Sequence, residues 1–450
     1  MATSNLPEEQ EIENSAKATR RINSVKDLVV EDPIKQVWKF LRSFEDVEFT
    51  TNRICEINNI KKDSKIKEDI KCYNNAKKQA SQIGYCIRQA EEYFQASQKV
   101  GLVTSPNLLY YGATSLSRAL ILLTQSGDYS FDALRKADKH NHHGLELKKS
   151  FKATDIEKLE DFLNLLQCEL FAKPIKLENL DKDAVELETG ERVVPWGNFP
   201  LFYKSLISDA CVVSVKTYQG SDTESYLRSN DVLTCRDILP IESLIKRKFN
   251  CFDLVKSLPD LFFTLDQIGI ISDLNLGDAS ITNFDDVPSQ LYDQPDKSVP
   301  ISKTILNFSI DGLSPERKNI LVTRYLSLSK DPLMFLEKDW GTSVSLRLAK
   351  QRFDEKEIEF SCTPDIVDDV NCRKFYILNP EECLPEIASQ FMLLFCLGMM
   401  CRYYPDIWIK TLDKNVQITE FLDSLINVIY RKFPNLILDQ MMEIKHYIHH

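Results

Sequence analysis

Two long helical patterns joined by a short link constrain the fold of this chain more than any other feature of the sequence. In residues 107–125, apolar residues recur in steps of three and four, as expected for one buried helix face. In residues 65–99, apolar residues keep close to a heptad rhythm. Because only the segment from Gly101 to Pro106 separates the patterns, we predict that the two helices pack in antiparallel orientation. The apolar positions are Leu109, Ala113, Leu116, Leu120 and Leu123 in residues 107–125, and Ile66, Ile70, Tyr73, Ala80, Ile83, Ile87, Ala90 and Phe94 in residues 65–99.

Two further helices are predicted on either side of this pair. Pro33 opens a helix through IKQVWKFLRSF, and a proline is tolerated at a helix start because its missing N–H would be unpaired there anyway. Residues 154–171 form an amphipathic pattern in which Thr154 and Glu157 match a capping box. We therefore predict a loose polar lead-in over residues 1–30 and a helical bundle over residues 31–172.

The middle of the chain changes character near Lys173. Short alternating or β-branched runs predict strands, and helical pieces such as IESLIKRKF and ERKNILVTRYLSL lie between them. Residues 272–303 are rich in Asp, Ser, Asn and Pro and predict a long exposed loop. The strand-like runs are AVELET, GERVV, CVVSVKTY, KTILNFSI, SVSLRLA, EIEFSC and KFYIL.

The predicted fold class is therefore mostly α, of the α+β type. A mixed α+β domain is expected over residues 173–380, and helices return over residues 381–450 and continue to the end of the chain. The most apolar run, Phe391–Cys401, is too short to span a bilayer and favours a buried helix, so we expect no membrane association.

Composition narrows the function classes. The formal net charge of -11 argues against a broad nucleic-acid-binding surface, although a local basic patch is compatible with it. Twelve cysteines are scattered without a CxxC pair, and the polar start MATSNLPEEQ does not match a signal peptide. These features predict a cytoplasmic protein with reduced thiols. The GxGxxG, P-loop, GxSxG and HExxH patterns are absent from the sequence.

The histidines focus the search for chemistry. Arg135 and His140 are separated by four residues. In a ribonuclease, such a histidine would act as general acid or base while the arginine stabilises charge on the phosphate. The alternative is a solvated surface loop between helices. The six histidines of the chain are His140, His142, His143, His446, His449 and His450.

The adjacent residues His142 and His143 do not face the same way on a helix or strand, so they make a poor metal pair. We expect one of them to form a hydrogen bond within the bundle, with Gly144 permitting a tight turn, and we expect neither a metal nor another cofactor. His449 and His450, the last two histidines of the sequence, are assigned no role. Other polar and aromatic features are assigned structural positions: loop charges for Asp285-Asp286, Asp368-Asp369 and Glu381-Glu382, core filling for Cys396 and Cys401, and anchors for Trp196 and Trp408.

Three stretches resemble the YaaC-like protein family, a bacterial group. They are LLYYGATSLSRALILL at residues 108–123, HHGL at residues 142–145 and LFCLGMMCRYYPDIW at residues 394–408. The resemblance covers about residues 35–430, and only these stretches are specific.

The first two stretches also resemble the small helical HEPN domains. Those domains pair a YYA-type helix with a later H-G turn and a downstream Phe, here Tyr110-Tyr111, His143-Gly144 and Phe151. Many HEPN domains are metal-independent ribonucleases with an Arg, four to six residues and then a His, which Arg135 and His140 match in spacing. Lys136 departs from the small polar residue that usually follows the Arg.

The resemblance implies two functions from different classes. In the first, the chain is an interaction or regulatory subunit of a bacterial anti-phage defence assembly. In the second, it is a metal-independent endoribonuclease that uses Arg135 and His140. We expect a protein partner or a homo-oligomer, and RNA is a further candidate partner. Tyr110, Tyr111, His142, His143 and Gly144 are the expected binding and turn residues.

Overall fold

The computed structural model of the chain describes most residues between Arg20 and His450. The described residues are 20–62, 64–125, 127–138, 141–149, 156, 158–175, 184–187, 189–219, 226–234, 238–285, 302–310, 314–319, 323, 334–339, 344–352, 366–377 and 383–450.

Four helices form the N-terminal part: α1 (Pro33–Leu41), α2 (Val47–Asn58), α3 (Lys67–Ser97) and α4 (Ser105–Thr124). The predicted antiparallel packing of α3 on α4 is confirmed. Near one end of the pair, the Gln79 side chain donates to the carbonyl oxygen of Leu122 at 2.6 Å, and near the other end Tyr93 stacks on Tyr111 with ring centres 5.8 Å apart.

The apolar stripe of α3 is buried only where α4 covers it. Ala80, Ile83 and Ile87 are fully buried, whereas Ile66 and Ile70, which we expected on the same stripe, are 62% and 46% exposed. The reason is length, because α3 extends past the C-terminal end of α4 and its first turn has no part of α4 to pack against.

The prediction of one long amphipathic helix over residues 154–171 is wrong. A short helix, α6 (Leu159–Leu165), runs directly into strand β3 (Leu166–Leu170). Strand β3 pairs on one edge with β2 (Leu145–Lys149) and on the other with β9 (Lys248–Asn250). Backbone pairing on both edges outweighs the helical periodicity here. Thr154 and Glu157, the predicted capping box, lie outside the described residues.

The middle of the chain is α+β, as predicted, and most of its strands form one mixed sheet, a pairing that the sequence did not specify. Eight strands of the described residues belong to it: β7 (Ala210–Gln219), β8 (Tyr226–Thr234), β10 (Leu274–Asp285), β11 (Ser302–Ile310), β12 (Met334–Asp339), β13 (Val344–Arg352), β14 (Ile366–Asp368) and β15 (Lys374–Ile377). One edge of β10 pairs with β11. The other edge pairs with β15 and then, in parallel, with β7.

This sheet corrects the prediction of a long exposed loop over residues 272–303. Its first part is β10, paired on both edges, and β11 begins at Ser302. Polar residues are tolerated in β10 because the backbone pairing of its two edges does not depend on side-chain type. Residues 286–301 lie outside the described part of the chain, as does the predicted strand EIEFSC. The segment IESLIKRKF forms a 3₁₀ turn over Ile241–Leu244 and then β9, not one helix.

Smaller elements connect these parts. A second, three-stranded sheet contains β4 (Ala172–Pro174), β5 (Val185–Glu186) and β6 (Arg192–Pro195). The short helices are α5 (Phe131–Lys136), α7 (Asn198–Tyr203), α8 (Cys251–Lys256) and α9 (Phe262–Gln267).

Helices return at the C-terminal end, as predicted: α10 (Glu386–Tyr403), α11 (Pro405–Lys414) and α12 (Val416–Met442). The expectation that helix continues to the end is wrong, because Lys445–His449 forms strand β16, parallel to β1 (Val25–Val29). The loose lead-in predicted for residues 1–30 is therefore wrong from Arg20 onward. The Arg20 guanidinium also contacts Glu443 at 2.8 Å.

The main hydrophobic core joins the N-terminal helices, the β2–β3–β9 sheet and the C-terminal helices in one cluster. Trp408 is fully buried in it and packs on Phe162, as expected of an anchor. The boundaries at residues 172 and 380 stay predictions. No single helix of the described residues is long and apolar enough to cross a membrane. The pair α10 and α11 passes that test together but bends by 105° between its members.

The cysteines of the described residues are free, as predicted for them. Cys168 and Cys396 are fully buried, and Cys396 fills the core as expected. A hydrogen bond with Cys396, followed by burial, raises the pKa of Cys168 well above the usual thiol range. For Cys396 the same bond lowers the pKa, but a hydrogen bond with Cys251 and burial outweigh it, so this pKa is also well above the usual range. They are therefore protonated and unreactive at neutral pH.

Candidate functional site

A polar cleft opens where α3, α4 and the turn before β2 meet. It encloses about 150 Å³, on the order of ten times the space that one water molecule needs. We call it the tyrosine–histidine cleft. Its lining residues are Gln89, Tyr93, Tyr110, Tyr111, Thr114, Ser115, Arg118, Asn141, His142, His143 and Asn198.

Two glycines allow three helices to converge on this cleft. A Cβ atom added at Gly112 would lie 2.6 Å from Cδ2 of Phe94, so α4 approaches α3 more closely than any larger residue would permit. On α10, a Cβ added at Gly398 would lie 3.3 Å from Cβ of Tyr110. These close approaches bring Tyr110 against α10, where it packs on Phe391 and Phe395, and Tyr111 against Tyr93 of α3.

The histidines reach the cleft from a tightly held turn. The backbone N–H groups of Asn198 and Phe199, at the start of α7, donate to the carbonyl oxygens of His142 and His143 at 2.9 and 3.0 Å. Gly144 has φ +82°, and an added Cβ there would lie 2.8 Å from the Phe199 nitrogen, so both its conformation and its surroundings require glycine. The chain passes through Gly144 in a backbone conformation that favours glycine, as a tight turn there would require.

The central contact joins Tyr110 Oη to His143 Nδ1 at 2.7 Å. It confirms the prediction that one of the two adjacent histidines forms a hydrogen bond within the bundle. Burial raises the pKa of Tyr110. Burial, followed by the positive charges of Arg402 and Arg118, lowers the pKa of His143. Both side chains are therefore neutral at neutral pH, and among the described residues no hydrogen bond involves His143 Nε2, which leaves that nitrogen to a ligand.

The cleft is locally cationic although the chain carries a net charge of -11. Arg118 lies in the lining, and Arg402 at the end of α10 donates from Nη1 to Tyr111 Oη at 2.7 Å. No Asp or Glu belongs to the described lining. One lining residue contacts a carboxylate: Asp138 Oδ2 lies 3.5 Å from Nε2 of His142.

The structure brings Tyr110, Tyr111, His142 and His143 together, with Gly144 directly behind them. The sequence alone did not single out Arg118 and Arg402. A signal for both was present, since each is an arginine within an otherwise apolar helical run, SLSRALILL and LGMMCRYY.

Arg135 is not part of this cleft. Its side chain, on α5, is 60% exposed and its Nη1 lies 3.2 Å from Asp132 Oδ1. His140 lies outside the described residues, as does Phe151, so the convergence of Arg135 and His140 stays a prediction. Within the described part of the chain, no group of three His, Cys, Asp or Glu side chains is placed to hold a metal ion.

A second polar set, which the sequence analysis missed, lies in the core between the eight-stranded sheet and α12. Lys432 Nζ lies 2.6 Å from Asp260 Oδ2 and 2.8 Å from Glu386 Oε2. Beside it, Lys445 Nζ lies 3.0 Å from Asp368 Oδ1. We call this set the buried ion cluster, and its members are Asp260, Asp368, Glu386, Lys432, Asp439, Lys445 and His446.

The buried ion cluster corrects one prediction. Asp368 and Asp369, expected to be loop charges, are each only 3% exposed. His446, for which the sequence analysis made no prediction, is also 3% exposed, and its Nδ1 lies 3.0 Å from Asp439 Oδ1. Asp368 can be buried because Lys445 of β16 compensates it, and Asp369 because Arg373 Nε lies 2.6 Å from its Oδ2. Lys432 and Asp439, each a charged residue within an apolar part of α12, were local signals of this cluster.

The charges in this cluster are strongly perturbed. Burial raises the pKa of Glu386 to about 7, despite the opposing effect of Lys432. Burial opposes the charge on Lys432, but Asp260, Glu386 and Asp368 outweigh it and raise the pKa of the ammonium. Lys432 therefore remains charged in the core, whereas Glu386 exchanges its proton near neutral pH.

The fold and the cleft together define a class: an α+β protein whose N-terminal and C-terminal helices share one core and enclose a cationic polar cleft. The family model described as YaaC-like Protein matches residues 42–179 and 235–441. The chain therefore belongs to the YaaC-like protein family. The matched segments contain Tyr110, His143 and Arg402 of the cleft and Lys432 of the buried ion cluster. No curated protein and no solved structure matches the chain. The resemblance to HEPN domains stays a prediction.

Proposed function

We propose that this protein is a regulatory or interaction subunit whose state is set by an anionic group bound in the tyrosine–histidine cleft. The observation that carries the proposal is the convergence of Arg118, Arg402 and His143 around a cleft whose described lining contains no carboxylate. Guanidinium groups present planar N–H pairs that match phosphate or carboxylate oxygens. A phosphate group is therefore the ligand chemistry that the cleft suits best.

The protonation of the central pair favours binding over catalysis. A general acid or base works best when its pKa lies near the working pH. Here the pKa of His143 is lowered and that of Tyr110 is raised, so both move away from neutrality. The pair is suited to holding a fixed donor and acceptor pattern rather than to transferring a proton.

Under this proposal, binding in the cleft changes the association of the subunit with a protein partner or with a second copy of itself. A cytoplasmic setting rests on the cysteines, which lack paired spacing, and a role in an anti-phage defence assembly rests on the resemblances in the sequence. The family membership is compatible with both.

The test is a titration of the purified protein with inorganic phosphate, followed by calorimetry. We expect binding, and we expect Arg402→Gln to weaken it about 10-fold or more, because a hydrogen bond to a charged group contributes about 1.5–3 kcal/mol. Arg88→Gln is the matched control, since Arg88 is also a surface arginine, 59% exposed, but pairs with Glu45. Absence of phosphate binding, or equal binding by Arg402→Gln, would contradict the proposal.

The same sample tests the regulatory part. Light scattering and pull-downs from the native host are repeated with and without phosphate. A partner or an oligomer whose amount changes with phosphate in the wild type, but not in Arg402→Gln, supports a regulatory subunit. Assembly that ignores phosphate in both proteins contradicts it.

The second candidate function is metal-independent RNA cleavage by Arg135 and His140. The observation that favours it is the exposure of the Arg135 side chain on α5, five residues before His140. If it holds, His140→Ala and Arg135→Ala should each reduce cleavage of a labelled RNA in the presence of EDTA by about 10²–10⁴-fold. His142→Ala and His143→Ala are the controls. A cleavage assay that shows no RNA product from the wild type, or an effect of the control substitutions alone, removes this candidate.

A further inference from the structure

An apolar and aromatic groove adjoins the tyrosine–histidine cleft. It is shallow and encloses about 460 Å³, and its described lining residues are Leu147, Met399, Tyr403 and Tyr404, none of which carries a charge. Tyr403, the last residue of α10, is 56% exposed. A flat ligand could therefore reach its ring.

Arg402 joins the groove to the cleft. Its Nη1 lies 2.7 Å from Tyr111 Oη in the cleft, and its guanidinium carbon lies 5.0 Å from the centre of the Tyr403 ring. The same guanidinium thus contacts the lining of the anion site and the aromatic surface. A guanidinium has five N–H donors, so the bond to Tyr111 leaves others for a ligand oxygen.

A ligand that occupies both the cleft and the groove must carry an anionic group and a flat ring, with only a few ångströms between the two. Nucleotides have this combination, because a sugar places the base close to the phosphate. Proteins that bind single nucleotides or unpaired strands commonly stack a base on an exposed aromatic ring and hold the phosphate with cations. Stacking accepts every base, since each has an aromatic face.

We infer that the cleft and the groove together bind a nucleotide, with its phosphate beside Arg402, Arg118 and His143 and its base stacked on Tyr403. This inference rests on the proposed anion site and adds the chemical class of the ligand. A free mononucleotide and the terminal nucleotide of an RNA strand share this chemistry.

The inference is tested by comparing ligands that contain one or both parts. Adenosine 5′-monophosphate, adenosine 3′-monophosphate, ribose 5-phosphate, adenosine and inorganic phosphate are titrated separately into the full-length protein. We expect at least one of the two mononucleotides to bind about 5- to 150-fold more tightly than ribose 5-phosphate, the range that one stacked base contributes. A short RNA with a terminal phosphate distinguishes the sources, because binding tighter than the mononucleotide by 10-fold or more identifies a strand end.

Substitution of Tyr403 measures the contribution of the base to affinity separately from that of the phosphate. Tyr403→Ala should abolish the advantage of the mononucleotide and leave ribose 5-phosphate binding unchanged, whereas Tyr403→Trp should retain the advantage. Tyr226→Ala is the matched control, because Tyr226 lies on β8 and also has an arginine guanidinium, that of Arg228, 5.1 Å from its ring centre.

The failures of the two proposals are distinguishable. If phosphate and ribose 5-phosphate bind but neither mononucleotide binds more tightly, the anion site stands and the nucleotide inference is wrong. If the advantage survives Tyr403→Ala, the base does not stack where we infer. If none of the phosphate-bearing ligands binds, both proposals fail.

Discussion

Replacing Lys432 with methionine removes the cation at the centre of the buried ion cluster while keeping most of the side-chain volume. In the wild type, Lys432 Nζ lies 2.6 Å from Asp260 Oδ2 and 2.8 Å from Glu386 Oε2, and it donates to the carbonyl oxygen of Asp368 at 2.8 Å. The side chains of Asp260 and Glu386 are 7% and 6% exposed, so water cannot replace the lost partner.

The expected cost follows from that geometry. Removing one partner of a buried ion pair destabilises a protein by about 3–5 kcal/mol, because an uncompensated charge stays in the core. Two carboxylates depend on Lys432, so we expect a loss near the upper end, about 5 kcal/mol. A domain has about 5–15 kcal/mol of stability in total, and the variant should therefore be marginally stable at neutral pH.

The loss of stability in Lys432→Met should also depend on pH. The pKa of Glu386 is raised by burial to about 7 in the folded chain, above its ordinary value, so folding takes up a proton. The stability that this proton contributes is complete below the ordinary pKa and is lost as pH rises through about 7. Without Lys432, an ionised Glu386 is less tolerable still. The difference in the free energy of unfolding between Lys432→Met and the wild type should thus be larger at pH 8 than at pH 5.5.

Urea unfolding followed by circular dichroism at both pH values measures this difference. Lys71→Met is the control, because Lys71 pairs with Glu68 on the surface of α3, where the two side chains are 66% and 71% exposed. An exposed pair of this kind contributes about 0–1 kcal/mol. Glu386→Gln should reduce the pH dependence. The reasoning is refuted if Lys432→Met costs no more than Lys71→Met at pH 8, or if its cost is the same at both pH values.

Three further predictions concern other parts of the molecule. Leu120→Asp should unfold the N-terminal helices, because it places a charge at a fully buried position; melting curves check it, with Ile66→Asp at a 62% exposed position as a silent control. The pKa of His143 is lowered in the free protein, and a bound dianion favours protonation of this side chain, so binding takes up a proton. Sulfate should therefore bind more tightly at pH 6 than at pH 8, and calorimetry with His143→Gln should show no such change. All twelve cysteines should be alkylated after denaturation without reductant. A disulfide bond found by mass spectrometry would contradict the prediction that the thiols are reduced.

Local patterns were sufficient where one element's own residues determine its structure. Asp32 caps α1 by accepting from the Lys35 N–H at 3.0 Å, directly before the proline that marked the helix start. The long helices α3 and α4 also follow from their apolar spacing, since the apolar stripe of α3 from Ala80 to Phe94 is buried where the two helices pack. The HHGL turn was identifiable because Gly144 permits a backbone conformation that other residues rarely adopt.

The candidate site was predictable only in part. Tyr110 and His143 were singled out by resemblance, but the 2.7 Å hydrogen bond between them joins residues 33 positions apart. Arg402 comes from the other end of the chain, 291 positions from Tyr111. No local rule specifies such contacts, because they depend on the packing of α10 against α4.

The sequence by itself determined the helical class and the boundaries of α3 and α4 to within two residues, because these depend on interactions within a few residues. Tertiary structure decided that residues 166–170 form a strand, because β2 and β9 supply backbone partners on both edges. It also decided that the two ends of the described chain, β1 and β16, pair with each other. Finally, it decided that Asp368, Lys432 and His446 are buried, because the free energy of burying a charge depends on a partner that is remote in the sequence and adjacent only in the fold.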